Sequence, residues 1–163
     1  MEAAYKANTA AAASGWSFYA THGQTELRKA TEAVLTYKLY FADGFTWVKG
    51  GKLPGLYGGI PGEYGCSGGQ QEDRDICWSA RLMWRAEGAG ELYTYLPKGD
   101  TNINACKASG SGAVCDNEIY GLSFGRGEFK WPTGQWATIH ERVRLNDVGS
   151  NNGQPSPRLD PPT

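Results

Sequence analysis

Two stretches alternate their side chains with a period of two: Trp78-Ser79-Ala80-Arg81-Leu82-Met83-Trp84-Arg85 and Glu91-Leu92-Tyr93-Thr94-Tyr95-Leu96. This is the period of a β-strand that buries one face and exposes the other. Between them lies the short connection Ala86-Glu87-Gly88-Ala89-Gly90, which predicts a β-hairpin. With the turn centred on Gly88, Trp84 faces Leu92 on the apolar side of the hairpin.

In the same register, the residues on the polar side of this hairpin form chemically compatible pairs. Cross-strand partners share a face of a sheet, so each pair can be checked for complementary chemistry. The predicted pairs are Arg85 with Glu91, Met83 with Tyr93, and Arg81 with Tyr95. The face directed away from the core therefore presents one serine, one arginine and two tyrosines: Ser79, Arg81, Tyr93 and Tyr95.

Other segments repeat the strand pattern, and the composition supports it. Leu35–Phe41 and Trp136–Leu145 alternate apolar with polar residues, and the chain holds 23 Gly, 9 Tyr and 6 Trp, which favour turns and strands. Shorter strands are predicted at Trp16–Ala20, Phe45–Val48, Tyr120–Phe124 and Glu128–Trp131. Many short strands joined by glycine-rich turns predict an all-β fold, a β-jelly roll or antiparallel β-sandwich.

The domain organisation follows from where this pattern begins and ends. Residues 1–15 are rich in alanine without an apolar stripe and predict a flexible N-terminal segment. Residues 16–146 carry the strand signals and predict a single β-jelly-roll domain. Residues 147–163 hold four prolines among Ser, Asn and Gly, and predict a disordered tail.

Charge and ligand types exclude several classes of function. The formal net charge of −1 gives no broad basic field, so we expect no nucleic-acid or membrane partner. The chain has two histidines, and its cysteines lack metal-ligand spacing, so we expect neither a metal nor another cofactor. We expect the protein to act as a monomer.

The four cysteines indicate an oxidising compartment. Three pairings are open in principle, and the simplest joins near neighbours, Cys66 with Cys77 and Cys106 with Cys115. Met1–Ser14 lacks the compact apolar region of a signal peptide. We therefore expect a secreted protein whose signal peptide is absent from this chain.

Lys52 lies in an unusual setting, the stretch Val48-Lys49-Gly50-Gly51-Lys52-Leu53-Pro54-Gly55-Leu56-Tyr57-Gly58-Gly59. Glycine allows close approach of the backbone to a ligand, and proline fixes the chain direction. A glycine-rich loop with a solvated lysine is the simpler interpretation. The polar hairpin face favours the alternative, in which this loop presents Lys52 to a substrate.

Together these side chains suit one kind of chemistry. A tyrosine near cations has its anionic form favoured and can act as a base, while lysine and arginine can neutralise a carboxylate. Such a set can abstract the weakly acidic C–H beside a carboxylate, with loss of the group β to it. This is the lyase reaction of a uronic-acid polymer.

Other hydrolytic chemistries fit less well. Glycoside hydrolysis needs two opposed carboxylates, and the predicted register pairs Glu91 with Arg85. We also expect no Ser-His-Asp triad with a serine on a nucleophile elbow. His140 and Arg142 lie on the polar face of the Trp136–Leu145 strand, and we include both as candidate substrate-binding residues.

At these residues the chain resembles polysaccharide lyase family 14, the alginate and polyuronate lyases. The resemblance covers roughly residues 35–146, and its motifs are Lys49–Gly59, Cys66–Gly69, Trp78–Arg85, Gly90–Pro97, Gly125–Gly127 and Gly134–Asn146. It implies a jelly roll and metal-independent β-elimination of an acidic polysaccharide. It also implies Lys52, Tyr93 and Tyr95 as catalytic residues, and Ser79 and Arg81 as substrate-binding residues. Fungal glucuronan lyases show similar motifs, so the polymer stays open between alginate and glucuronan.

One departure from the family pattern leaves alternatives open. Members of the family continue with further strands where this chain turns to proline, which predicts a sandwich that is incomplete at the C-terminus. The chain could then be a truncated, inactive relative. A third interpretation is a non-catalytic jelly roll that binds an acidic glycan.

Overall fold

A computed structural model describes residues 2–4, 15–20, 29–60, 65–70, 74–115 and 120–160. The chain separates into two compact units, Met1–Ala30 and Thr31–Thr163. In the described part of the first unit Trp16 stacks on Phe18, with 5.3 Å between ring centroids, and no strand forms. The predicted strand Trp16–Ala20 is therefore wrong, because no neighbouring strand pairs with its backbone. Most of the predicted flexible segment 1–15 lies outside the described residues.

The second unit consists of two antiparallel sheets. A three-stranded sheet has the order β1-β6-β7, and a four-stranded sheet has the order β2-β3-β4-β5. The strands are β1 Glu32–Tyr40, β2 Gly50–Gly59, β3 Cys77–Arg85, β4 Gly90–Tyr95, β5 Leu122–Phe124, β6 Trp136–Arg144 and β7 Gln154–Asp160. One helix, α1, spans Asp100–Lys107. No helix among the described residues has the length and apolar character needed to cross a membrane.

The core lies between the two sheets and is built by alternation. Leu82 and Trp84 of β3 pack with Ile139 and Val143 of β6 in one buried cluster. Phe41 joins this cluster and lies 4.7 Å from the ring of Trp47 and 5.5 Å from that of Trp84, centroid to centroid. The predicted strand at Phe45–Val48 does not form, although the rings of Phe45 and Trp47 both pack against Phe41. Glu128–Trp131 likewise contributes only a single bridge, Lys130 to Ala89.

The β3–β4 hairpin forms with a register two residues from the predicted one. Its pairs are Ser79 with Tyr95, Arg81 with Tyr93, Leu82 with Leu92, and Met83 with Glu91. The turn centres on Glu87 instead of Gly88, because Glu87 itself takes a left-handed conformation, with φ of 59°. A shift of two residues preserves parity, so the predicted polar face still forms.

The stretch around Lys52, predicted as a loop, is strand β2. It pairs with β3, and the register shifts between Lys52 and Gly55 in the manner of a β-bulge. Its glycines serve close packing: a Cβ on Gly51 would lie 2.0 Å from the Trp84 ring. The large β3 side chain therefore requires a residue without a side chain on the neighbouring strand.

Both local disulfides are present. Cys66 is bonded to Cys77, and Cys106 is bonded to Cys115. The first closes the loop that precedes β3, and the second ties the end of α1 to the segment before β5. The simplest of the three pairings is thus confirmed.

The predicted disordered tail is wrong for its central part, because Gln154–Asp160 forms the edge strand β7 against β6. Proline lacks an N–H and is tolerated on an edge strand where that group would point outward. Pro155 and Pro157 are two residues apart, so both occupy the outward-directed positions. The N–H groups of Ser156 and Arg158 remain available to β6.

Hydrogen exchange should distinguish the strand from a disordered tail. We expect the amides of Ser156 and Arg158 to exchange at least tenfold more slowly than that of Asn151, because only the former face a paired strand. Residue-resolved NMR exchange at neutral pH is the measurement. Equal, rapid exchange of all three amides would show that this segment is disordered.

Candidate active site

Two buried tyrosines on β4 form the centre of the candidate site. The side chains of Tyr93 and Tyr95 are 6% and 1% exposed, and their hydroxyl oxygens lie 3.5 Å apart. The Gly121 N–H donates to the Tyr93 hydroxyl at 2.9 Å, and the Gly69 N–H donates to the Tyr95 hydroxyl at 2.7 Å. Both phenol oxygens therefore accept a backbone hydrogen bond that would stabilise negative charge on them.

Four basic side chains surround the tyrosine rings. Lys52 Nζ lies 5.4 Å from the Tyr93 ring centroid, and the Arg85 guanidinium lies 5.7 Å from it. On the other side, the guanidinium groups of Arg74 and Arg81 lie 5.0 and 5.9 Å from the centroid of the Tyr95 ring. The predicted Lys52, Arg81 and tyrosine pair are thus brought together on one face of the four-stranded sheet.

Two of these cations were not predicted as site residues. Arg85 shares strand parity with Arg81, so the alternation of β3 contained the signal, but its predicted pairing with Glu91 marked it as structural. Arg74 lies between Cys66 and Cys77 in a segment without periodicity. Its Nη2 donates to the Tyr120 carbonyl at 2.7 Å, a contact that sequence alone does not indicate.

Burial and charge shift two pKa values in opposite directions. Burial, aided by the Tyr95 hydroxyl, raises the pKa of Tyr93 to about 12, and this outweighs the Gly121 hydrogen bond and Arg85. Arg85 favours the anion of this tyrosine, as expected of a nearby cation, but in the free protein burial has the larger effect. Partial desolvation lowers the pKa of Lys52, and the charges of Arg81 and Arg85 lower it further.

Ser79 connects the sheet to the disulfide-closed loop. Its hydroxyl is buried and donates to the Cys66 carbonyl at 2.6 Å. The same loop carries Gly69, whose N–H reaches Tyr95. Ser79 therefore lies on the predicted face, with its hydrogen directed at the loop.

A cavity of about 400 Å³ opens beside Tyr93. Two arginines that line it, Arg85 and Arg126, are held by the same carboxylate. Glu91 is fully buried and pairs with Arg85 at 2.5 Å and with Arg126 at 2.6 Å. The Ser123 hydroxyl also donates to Glu91. The predicted association of Arg85 with Glu91 is confirmed, although the two residues are diagonal neighbours. The lining residues are Lys52, Met83, Arg85, Tyr93, Val114, Tyr120, Gly121, Ser123 and Arg126.

His140 and Arg142 are not part of this site. Both lie on the outer face of β6 in the three-stranded sheet, on the far side of the core from the tyrosines. His140 contacts Thr36 and Asp160, each at 3.0 Å, and Arg142 pairs with Glu32 at 2.7 Å. The structure does not bring these two residues to the tyrosine pair, because parity on β6 directs Ile139 and Val143 to the core and His140 and Arg142 outward.

The candidate site also lacks the side chains of a metal centre. Among the described residues no group of three or more His, Cys, Asp or Glu side chains is arranged to hold a metal ion.

Comparison with known proteins places this geometry in a family. The solved structure of the marine PL-14 alginate lyase from Aplysia kurodai is similar, with a TM-score of 0.64 and 36% sequence identity. The similarity covers 80% of this chain and 51% of that one, so this chain spans about half the length of the Aplysia protein. None of the curated proteins matches it.

The fold comparison and the family comparison agree. The two antiparallel sheets and their similarity to the Aplysia enzyme confirm the predicted all-β jelly-roll class. The family Polysaccharide lyase 14 matches residues 1–159, a longer span than the sequence motifs cover. The chain belongs to the polysaccharide lyase 14 family.

Proposed function

We propose that this protein cleaves a uronic-acid polymer, alginate or glucuronan, by β-elimination. The observation that carries the proposal is the Tyr93 hydroxyl at the edge of a cavity that Lys52 and Arg85 also line. Family membership and the similarity to an alginate lyase support the same reaction class. No cofactor is needed for the steps below.

The choice of base follows from the two shifted pKa values. With a pKa of about 12, Tyr93 would be ionised in only about one molecule in 10⁴ at pH 8. The pKa of Lys52 is lowered, so at the same pH the unprotonated fraction of its amine exceeds the ionised fraction of Tyr93. We therefore assign Lys52 as the base and Tyr93 as the acid.

The proposed reaction conserves atoms and charge. The Lys52 amine takes the proton from C5, next to the uronate carboxylate, and the C–H electrons form the C4–C5 double bond. The C4–O bond breaks, and Tyr93 gives its proton to the departing oxygen. The ammonium of Lys52, which lies beside the Tyr93 ring, then returns a proton to the phenolate.

The surrounding groups stabilise the charge that develops. Arg85 is a fixed cation on the cavity wall and would hold the reacting carboxylate, whose charge grows towards an enolate. Arg81 lies deeper on the face and adds positive charge near the tyrosine pair. The Gly121 N–H and the Tyr95 hydroxyl support the transient Tyr93 phenolate. Tyr95 is therefore a positioning residue in this scheme.

Localisation and assembly are part of the proposal. Two disulfides support a secreted enzyme, because such bonds persist in oxidising compartments. A monomer is sufficient, since every residue assigned a role comes from one chain.

Removing the phenol oxygen of Tyr93 should stop turnover without unfolding the protein. Tyr93→Phe should lower kcat by about 10²-fold or more, the usual effect of losing a general acid. Tyr95→Phe should cost about tenfold, because it removes only a hydrogen bond to the phenolate. Ultraviolet absorbance of the unsaturated uronate product is the measurement, on alginate and glucuronan.

Tyr40→Phe is the matched control, because Tyr40 is 45% exposed on β1 and its ring lies against Trp136, away from the cavity. It should behave as the wild type. A Tyr93→Phe protein with undiminished turnover contradicts the assignment of the acid. Binding of the polymer without product in the wild type would instead favour the glycan-binding alternative.

Replacing Lys52 by arginine tests whether the residue acts as a base or as a fixed charge. Guanidinium does not deprotonate in proteins, so Lys52→Arg should lose activity about 10²-fold or more. In the wild type only the unprotonated amine is active, so kcat/KM should rise with pH. Because the Lys52 pKa is lowered, this rise should occur below the pH at which an ordinary lysine titrates.

Lys38→Arg, on the exposed face of β1, provides the control and should leave the pH profile unchanged. An active Lys52→Arg enzyme, with a wild-type rate that falls as the solution becomes alkaline, would show that Lys52 neutralises the carboxylate instead.

A further inference from the structure

We propose that Arg126 binds the carboxylate of a second uronate, next to the one that reacts, so that the enzyme selects glycans whose uronates are consecutive. This inference rests on the proposed function, because the reacting uronate must occupy the position beside Lys52 and Tyr93. It adds a specificity-determining residue on the segment that follows β5.

The anchoring of Arg126 leaves its ligand-binding end free. Its Nε donates to Glu91 at 2.6 Å and lies 3.1 Å from the Ser123 hydroxyl oxygen. Within the described part of the chain, the two terminal nitrogens of its guanidinium make no hydrogen bond. These nitrogens form the fork that binds a carboxylate through two parallel hydrogen bonds.

The support beneath Arg126 is rigid and buried. Glu91 is 0% exposed, as is Ser123, whereas the Arg126 side chain keeps 32% of its surface exposed. A buried carboxylate fixes the Nε edge of the guanidinium, and Arg126 is one of the residues that line the cavity. An arginine held in this way loses little further conformational entropy when it binds a ligand.

The charge of the cavity matches more than one carboxylate. Among the described lining residues, Lys52, Arg85 and Arg126 are basic. Glu91 contacts two of them and compensates one positive charge. Apart from Lys52, which acts as the base, the two arginines supply one guanidinium for each of two neighbouring uronate carboxylates.

Carboxyl reduction of the polymer tests the inference on the unaltered protein. Reducing half of the carboxylates at random leaves half of the units with a carboxylate. Only half of those units keep an intact neighbour on the relevant side. If two carboxylates are read, kcat/KM should fall to about a quarter, whereas reading one carboxylate lowers it to about half. A fall in direct proportion to the remaining carboxylates would overturn the proposal.

The variant Arg126→Gln should convert the enzyme to reading one carboxylate. On the intact polymer we expect KM to rise about tenfold with kcat changed less than threefold, because a binding contact and not the chemistry is lost. On the half-reduced polymer its kcat/KM should fall only to about half of its own value. A merely structural role for Arg126 would instead lower activity on both polymers by the same factor.

Two further variants separate charge, geometry and surface effects. Arg126→Lys keeps the charge beside Glu91 but lacks the fork, so its KM should lie between those of wild type and Arg126→Gln. Arg142→Gln removes an ion-paired arginine from the outer face of β6 and should match the wild type on both polymers. If Arg126→Gln does not fold, the half-reduced polymer and Arg126→Lys still decide the question.

The outcomes also separate this inference from the proposed function. A wild-type protein that forms no unsaturated product from any polyuronate contradicts the proposed function. A wild-type enzyme that cleaves the polymer, with Arg126→Gln equal to it in KM and in its response to carboxyl reduction, contradicts only the role of Arg126.

Discussion

The alternation of side chains along β3 is the constraint on which the molecule depends. Each step along this strand sends one residue into the sandwich core and the next to the candidate site. Leu82 and Trp84 bury against the three-stranded sheet, and Arg81 and Arg85 project from the opposite face. The hydrophobic effect that fixes the strand in the core therefore also fixes the direction of the cations. A core this well packed holds charged groups that would otherwise repel one another.

The site balances desolvation against charge. Burial alone would make the phenol of Tyr93 a poor acid, and the surrounding cations alone would make it a good one. In the free protein burial prevails, so the phenol keeps its proton. Burial, together with the positive charges of Arg81 and Arg85, also lowers the pKa of Lys52 and so weakens the hold of its amine on the proton. One local arrangement thus prepares both a donor and an acceptor, which is what an elimination requires.

The sequence predicted the buried and exposed faces of the strands well, because alternation is a local property of the sequence. Period-two alternation identified the faces of β1, β3, β4 and β6, and parity survived an error of two residues in the hairpin register. Two contacts escaped prediction because they depend on tertiary packing: Arg74 reaches Tyr120, and Arg126 reaches Glu91, across long sequence separations. The candidate residues on the polar face of β6 were placed at the site for a related reason. Alternation assigns His140 and Arg142 to a face but does not tell which of two sheets that face belongs to.

The loop closed by Cys66 and Cys77 makes the site sensitive to the redox state of these two cysteines. The Ser79 hydroxyl holds the Cys66 carbonyl, and the loop brings the Gly69 N–H to Tyr95. This polar arrangement depends on one disulfide, which is buried in a cluster with Met83, Tyr93 and Tyr95. In a chain that still carries thiols, the core strands can pair while this loop is unfixed and the hydrogen bond to Tyr95 is unsupported. The complete arrangement around Tyr95 would then form only after this cysteine pair is oxidised.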